Sequence, residues 1–287
     1  PLMRSRFAAA TADRLDKVIA NQTSLSRKRA RTLIQRGGVR VDGMARNFPG
    51  YEVTQGALVE LRTGAAPRKA RVGEALEERW RGGGVVVVDK PSGLPSQPVR
   101  DGKSQHVYGM VASKEGYAGL HHRLDLPASG LMLLSIAPEV NPRVAGWFRE
   151  GKITRLYRIV VVGDPGESGV WNTAIDDLHA RSQWVREATV DGMTALWVQI
   201  DTGRTHQIRR HAEDAGFPIV GDRRHGGAAG RLWPRLALHA AVLQFPHPKS
   251  SDEVTVRSPL PDDLHEIFQR AGVEALGIDG PLPTFAP

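Results

Sequence analysis

Between residues 63 and 84 the chain reads TGAAPRKARVGEALEERWRGGG, small and charged residues with Pro67 among them and three successive glycines at the end. A stretch of that composition has no apolar face to bury, so it predicts a linker. It divides the chain into a small segment, residues 1–62, and a large one, residues 85–272. The Gly- and Pro-rich residues 273–287 predict a tail. A chain of 287 residues is long enough for one sizeable core beside a small one.

The small segment carries nearly all of the net charge. It holds twelve Lys/Arg against five Asp/Glu, a net +7 of the formal +8. A basic excess confined to one segment is the footprint of a polyanionic partner. Charge alone is equally compatible with a solvated basic helix that binds nothing. ADRLDKVIANQ places Leu15, Val18 and Ile19 on one face of a short helix. Ser26 is a good N-cap for a second helix, RKRARTLIQRG, and Gly37 is placed to stop it. In that helix Ala30, Leu33 and Ile34 turn inward, and Arg27, Lys28 and Arg31 turn out. VRVDGM predicts a strand that turns at Asp42-Gly43, and GALVELR another.

With no cysteine, the chain has no disulfide, thiolate metal site or cysteine nucleophile. No stretch approaches the roughly 18 apolar residues of a membrane span. The opening PLMRSRFAAATADRLDKVIA lacks the apolar segment a secretory signal needs, so a cytoplasmic protein is expected.

The large segment alternates strands and helices without an internal repeat. Strands are expected at Val85–Asp89, Leu131–Ile136, Tyr157–Val162, Val185–Val190, Thr194–Ile200, Leu236–Leu243 and Val254–Arg257, with a hairpin at Asp191-Gly192. Helices are expected at Asn141–Glu150, Thr205–Ala215 (capped by Thr205) and Asp262–Ala271. Consecutive hairpin-like strands predict an α+β fold rather than a doubly wound parallel sheet.

Three polar clusters interrupt this apolar pattern: HHRLD (His121 to Asp125), DTGRTHQIRRHAEDAG, and RLALHAAVLQFPHP, where His239 interrupts a strand. His206 and His211 are five residues apart, not four, and there is no H-E-x-x-H, so a helical zinc pair is not expected. G-x-S-x-G, Walker and dinucleotide motifs are absent. That leaves Asp125 beside arginines. An aspartate paired with arginine stays ionised and can act as nucleophile or electrostatic stabiliser. The same residues could equally form a buried pair that only ties loop to helix.

Five motifs in order carry a resemblance. VVVVDKPSGLPSQP resembles the opening strand and Lys-Pro-x-Gly turn of the RluA-type pseudouridine synthases. HRLDLPASGLMLLS resembles their H-R-L-D-x-x-T-S-G-L signature, and RLYRIVVVG is similar to their K-x-Y-x-A strand. TGRTHQIRRHAEDAGFPIVGD and LALHAAVLQFPHP resemble the two remaining blocks, so the match spans residues 84 to 260. RLDKVIA…SLSRKRARTLIQRGGVRVDGM resembles the RNA-binding domain named after ribosomal protein S-four.

The resemblance implies a mixed, mainly antiparallel catalytic domain behind a small N-terminal α/β RNA-binding domain. It makes Asp125 the catalytic aspartate, Tyr157 the tyrosine against the base, which helps remove the proton from carbon 5, and Arg209 the partner of the aspartate. It puts Arg123, His122, Ile208, Arg204 and His206 around the substrate, Arg123 holding the target base out of its helix. On the N-terminal domain it implies RNA contacts from Ser26, Arg27, Lys28, Arg29 and Arg31. Ala128, Arg155 and Ile159 depart from the usual Thr, Lys and Ala. The reaction needs no cofactor and no metal; its partner is RNA, ribosomal RNA in the first place, with no membrane, and the chain is expected to be a monomer. Two other readings stay open: a non-catalytic RNA-binding or ribosome-assembly factor on the same scaffold, and a glycosylase, which would release free base.

Overall fold

The structure, a computed structural model, describes residues 4–35, 38–46, 49–62, 76–99 and 105–285. They fall into two compact units, divided between residues 71 and 72.

In the first unit β1 (Arg4–Ala8) and β2 (Asp13–Arg14) precede two helices, α1 (Leu15–Gln22) and α2 (Arg27–Gln35). β3 (Val39–Val41), β4 (Met44–Ala45), β5 (Glu52–Val53) and β6 (Leu58–Arg62) follow. The sheet runs β1-β6-β3-β4, and β2 pairs with β5. Asp42 takes the left-handed conformation (φ 50°) ahead of Gly43, which closes the β3–β4 hairpin as the Asp-Gly pair predicts. Leu15, Val18, Ile19, Ala30 and Ile34 bury their side chains in one core with Val39, Val41 and Val59. The Ser26 hydroxyl accepts from the Arg29 N–H at 3.3 Å, the expected cap of α2; Gly37 lies outside the described residues.

Arg27 and Arg31 are exposed, as expected, and both reach back to one buried carboxylate. Asp16 on α1 is fully buried, and a buried carboxylate demands cations. It takes bonds from Arg14 at 3.2 Å, Arg27 at 3.1 Å and Arg31 at 2.6 Å.

The second unit opens with β7 (Glu77–Gly82) and β8 (Val85–Lys90), then α3 (Val107–Glu115), β9 (Gly119–Leu120), β10 (Ser129–Ser135) and α4 (Asn141–Arg149). Next come β11 (Thr154–Val162), β12 (Ser168–Trp171), β13 (Ser182–Val190), β14 (Met193–Ile200) and α5 (Gln207–Asp214). β15 (Leu238–Pro246), β16 (Glu253–Arg257) and α6 (Asp262–Arg270) complete it. The sheet order is β12-β13-β14-β11-β15-β10-β8-β7, with β16 on β15 and β9 on β10. Of these pairings only β10–β15 is parallel, so the sheet is mixed and mainly antiparallel and the fold is α+β. Every residue of β10 is buried, which tells of cover on both faces.

Three expectations need correction. Glu77–Gly82, inside the expected linker, is strand β7, and its hairpin to β8 holds because Trp80 packs edge-on against Phe245 at 5.2 Å. The expected tail is in part a packing element: Ile278, Leu282 and Phe285 cover Leu156, Ala241 and Val242. α3 was not expected; its N-cap is His106, whose Nδ1 accepts from the Gly109 N–H at 2.9 Å. Among the described residues no helix is long and apolar enough to cross a membrane.

Two irregularities shape the middle of the sheet. Gly130 (φ 113°) lies so close to the Ala240 backbone that a Cβ would collide with it, and this contact lets β10 and β15 run side by side. The β11–β15 register slips between Leu156 and Tyr157, a bulge on β15 opposite Tyr157. Bulges of this kind re-aim side chains next to functional sites.

Candidate active site

Asp125 sits on the loop between β9 and β10, and that loop is held almost entirely through its backbone. The Ala128 N–H donates to the Asp125 carbonyl at 3.1 Å and closes a tight turn. From the end of β8 the buried Lys90 ammonium donates to the carbonyls of Ala128 at 2.6 Å, Leu94 at 2.9 Å, Pro91 at 3.1 Å and Leu126 at 3.4 Å. Ser92 donates to the Pro127 carbonyl at 2.8 Å, and the Ser96 hydroxyl both donates to the Leu124 carbonyl and accepts from its N–H. Burial, helped by Arg235, lowers the Lys90 pKa to about 7, against the pull of Asp125 and Asp89. The Lys-Pro-x-Gly turn is therefore the seat of the aspartate loop.

The loop opens into a cavity of about 950 Å³. Asp125, Tyr157, Arg123, Arg155, Arg204 and Ile208 line it, as do Arg149, Asp201, His206 and Arg209. Five arginines against two aspartates make it a basic cleft. Tyr157 reaches it from the bulged register of β11, and burial first, then Asp125, raises its phenol pKa against the effect of Arg155. Arg123 is exposed and among the described residues has no hydrogen-bond or ion-pair partner. Arg155 donates to the Asp201 carbonyl at 3.0 Å, while its Nε is buried without a partner among the described residues.

Arg209 on α5 meets two carboxylates at once. Its NH1 donates to Asp125 Oδ2 at 2.7 Å, while Nε and NH2 form a fork on Asp222 at 2.7 and 2.8 Å. Burial opposes the guanidinium charge, but the bonds to Asp222 and Asp125 outweigh it and raise the Arg209 pKa. Asp222 also accepts from the N–H groups of Arg224 and His225, each at 3.0 Å. Burial would raise its pKa; the Arg209 fork and these N–H donors lower it. It follows Gly221 (φ 77°), where a Cβ would strike the Arg235 carbonyl, so the chain bends here into the site.

The N-cap of α5 is His206, not Thr205, and its backbone is left-handed (φ 56°), uncommon for a residue with a side chain. No side chain caps α5; Gln207 instead ties down the preceding turn, accepting from the Arg204 N–H at 3.0 Å and the Thr202 hydroxyl at 2.7 Å. His206 Nε2 lies 3.9 Å from Asp125 Oδ1, and its Nδ1 is 2.9 Å from His225 Nε2. His225 Nδ1 is 2.9 Å from Glu213 Oε2.

The structure thus brings Asp125, Tyr157, Arg209, Arg123, Arg204, His206 and Ile208 to one cavity. His122 also lines it, but its Nε2 accepts from the Leu133 N–H at 2.9 Å and its ring stacks on Phe148. Burial, with Arg155 and His121, lowers its pKa to about 3. His239, of the third polar cluster, is buried between Ser129 and Ser258 and has no place in the cavity. Ala128 and Arg155 line the cavity, whereas Ile159 is core. Asp222, His225, Glu213 and Lys90 are the members that residue-by-residue reading passes over. Asp222 and Glu213 do stand inside the motif block TGRTHQIRRHAEDAGFPIVGD, and Lys90 inside DKPSG.

A carboxylate on a braced loop, gripped by one arginine in a basic cleft and flanked by a buried tyrosine, is a geometry suited to an enzyme that receives a polyanion. Comparison with known proteins narrows the class. Residues 84–214 match the family model described as RNA pseudouridylate synthase, and residues 13–59 match the S4 domain. The chain belongs to the RluA-type RNA pseudouridine synthases and carries an N-terminal S4 domain. It is 29% identical to ribosomal large subunit pseudouridine synthase D of Xylella fastidiosa, over 89% of this chain and 88% of that protein. To the protein of the same description in Neisseria meningitidis it is 31% identical, over 72% of this chain and 64% of that one. Among solved structures, human RNA pseudouridylate synthase domain containing 4 shares the fold. Its TM-score is 0.57 at 20% identity, covering 69% of this chain and 94% of that chain.

Proposed function

We propose that this chain isomerises selected uridines of ribosomal RNA to pseudouridine, with Asp125 as the essential carboxylate. One observation carries the reading: Asp125 Oδ2 is held at 2.7 Å by Arg209 in a cleft lined by five arginines. A merely structural ion pair has no need of a cavity of that size and charge. The names of the relatives favour ribosomal RNA of the large subunit as substrate.

The reaction breaks the bond between C1′ and N1, turns the base, and joins C1′ to C5. Asp125 faces the sugar either as nucleophile at C1′ or as the base that begins a glycal route; both are open to a carboxylate. Arg209 positions it. Tyr157 lies against the base. The base must leave its stack, at a cost of a few kcal/mol in a paired region. Arg123 stands at the cleft to occupy the vacated place, with Arg204, His122, His206 and Ile208 around the nucleoside. On the first unit Ser26, Arg27, Lys28, Arg29 and Arg31 form the RNA-binding face, with Arg27 and Arg31 ordered by Asp16. The protein acts as a cytoplasmic monomer.

The test is conversion of large-subunit ribosomal RNA from cells lacking this protein, read by site mapping of pseudouridine. New pseudouridine at a discrete position supports the reading. Tight RNA binding without conversion favours an assembly factor, and release of free uracil favours a glycosylase.

A further inference from the structure

Beyond Asp125, Tyr157 and Arg209 a second chain of titratable groups enters the cavity, through the left-handed cap of α5. It runs Glu213–His225–His206 with both internal contacts at 2.9 Å and ends 3.9 Å from Asp125 Oδ1. Hydrogen-bond logic fixes its protons. The Glu213 carboxylate can only accept, so His225 Nδ1 carries a proton. With His225 Nε2 as the acceptor of the second contact, His206 Nδ1 is its donor. Neutral His206 is left with a bare Nε2 in the cavity. At 3.9 Å from a carboxylate oxygen that nitrogen makes no hydrogen bond.

We propose that His206 is the general base that takes the C5 proton of the turned uracil, and that His225 and Glu213 lead the proton out. The inference rests on the synthase reading above. Once C1′ is bonded to C5, that carbon bears both the sugar and its hydrogen. As the C5–H proton passes to His206 Nε2, its electron pair forms the C5=C6 double bond and the C6=N1 pair returns to N1, which takes a proton from water. The Nδ1 proton of His206 moves to His225 Nε2, and the positive charge comes to rest on His225 beside Glu213. Glu213 is half exposed and passes the proton to solvent. One proton is released and one taken up, as an isomerisation requires.

Two further features suit His206 to this task better than Tyr157. The charged and titratable groups facing its ring are Asp125, Arg209, His225 and Arg224, and burial, the largest influence, keeps its pKa below the usual value, so the ring rests neutral. A phenol whose pKa is raised, as that of Tyr157 is, holds its proton and cannot accept another at neutral pH. The left-handed backbone of His206 is also a locally costly conformation, retained where its geometry is useful.

The test uses the full-length protein and RNA whose uridines carry hydrogen or deuterium at C5. His206→Asn is the chosen variant because asparagine tolerates the left-handed conformation; a thermal melt checks its fold. We expect turnover to fall about 100-fold or more at unchanged RNA affinity, with a C5 deuterium isotope effect larger than that of the unmodified enzyme. Glu213→Leu should lose more kcat than Glu213→Gln, whose amide oxygen still accepts from His225, both with KM near that of the unmodified enzyme. A His206→Asn enzyme within about threefold of the unmodified rate, or a slow one with an unchanged isotope effect, overturns the base assignment and leaves the synthase reading standing. Failure of the unmodified enzyme to convert RNA removes both.

Discussion

The Lys90 ammonium donates to the Ala128 carbonyl at 2.6 Å, so the end of strand β8 grips the turn that begins at Asp125. The same ammonium reaches the carbonyls of Pro91, Leu94 and Leu126. Lys90→Met keeps the length of the side chain but strands these buried acceptors. It should cost on the order of 3 kcal/mol of stability, and a loosened Asp125 should lower turnover by about 10- to 100-fold. Urea melts and conversion assays check both; an unaltered rate in a destabilised protein would mean the loop needs no such clamp.

Asp222 takes two of the three guanidinium nitrogens of Arg209 and leaves the third for Asp125. Asp222→Ala leaves a buried charge half compensated and should cost about 3–5 kcal/mol. Asp222→Asn preserves one acceptor and should fold, with kcat reduced and RNA affinity held. If kcat and affinity fell together, Asp222 would instead shape the binding surface.

Two histidines, His239 buried and His122 half-buried, give the catalytic unit an acid limit. Burial lowers the pKa of His122 to about 3 and, together with Arg235, that of His239 to about 3 as well. The unfolded chain binds these protons near pH 6.5 and the folded one only near 3. Their contribution is therefore complete above 6.5 and falls as the pH drops from 6.5 towards 3. Asp222 and Asp16, with lowered pKa values, push the same way at lower pH. Between pH 7 and 5 each histidine should cost on the order of 2 kcal/mol. Denaturant melts at the two pH values measure the sum, and His122→Gln should flatten the slope.

Arg29 is exposed on α2, and among the described residues its side chain has no partner. If it meets a phosphate, Arg29→Ala weakens RNA binding and lowers the slope of log K against log salt by about 1. Arg31→Ala should differ, because Arg31 also neutralises Asp16; it should lower the melting temperature as well as the affinity. Equal melts for the two variants would argue that Asp16 is satisfied without Arg31.

Local chemistry made some of this architecture legible in the sequence. Asp42-Gly43 and Asp191-Gly192 announce their hairpins because few other pairs accept two left-handed residues in a row. Strand β7 was hidden because its glycine run resembles a linker and its reason to pair, Trp80 against Phe245, lies far off in the chain. The cap of α5 is hidden for a like reason: Thr205 is the better capping residue by type, yet the left-handed turn places His206 at the cap, without a side-chain capping bond. Asp125, Tyr157 and Arg209 were legible through their motifs. Asp222 and the histidine chain depend on side chains that meet only once the sheet and α5 are packed.

The central claim is that Asp125 performs chemistry on uridine, and tritium release from RNA labelled at C5 of uridine tests it most directly. The substrate is total RNA from cells lacking this protein, and the enzymes are the unmodified chain and Asp125→Asn, whose amide keeps the shape of the side chain. We expect release by the unmodified enzyme and none above background by the variant, with RNA binding retained. Release by Asp125→Asn at a rate near that of the unmodified enzyme would contradict the claim and reduce the Asp125–Arg209 pair to a structural tie.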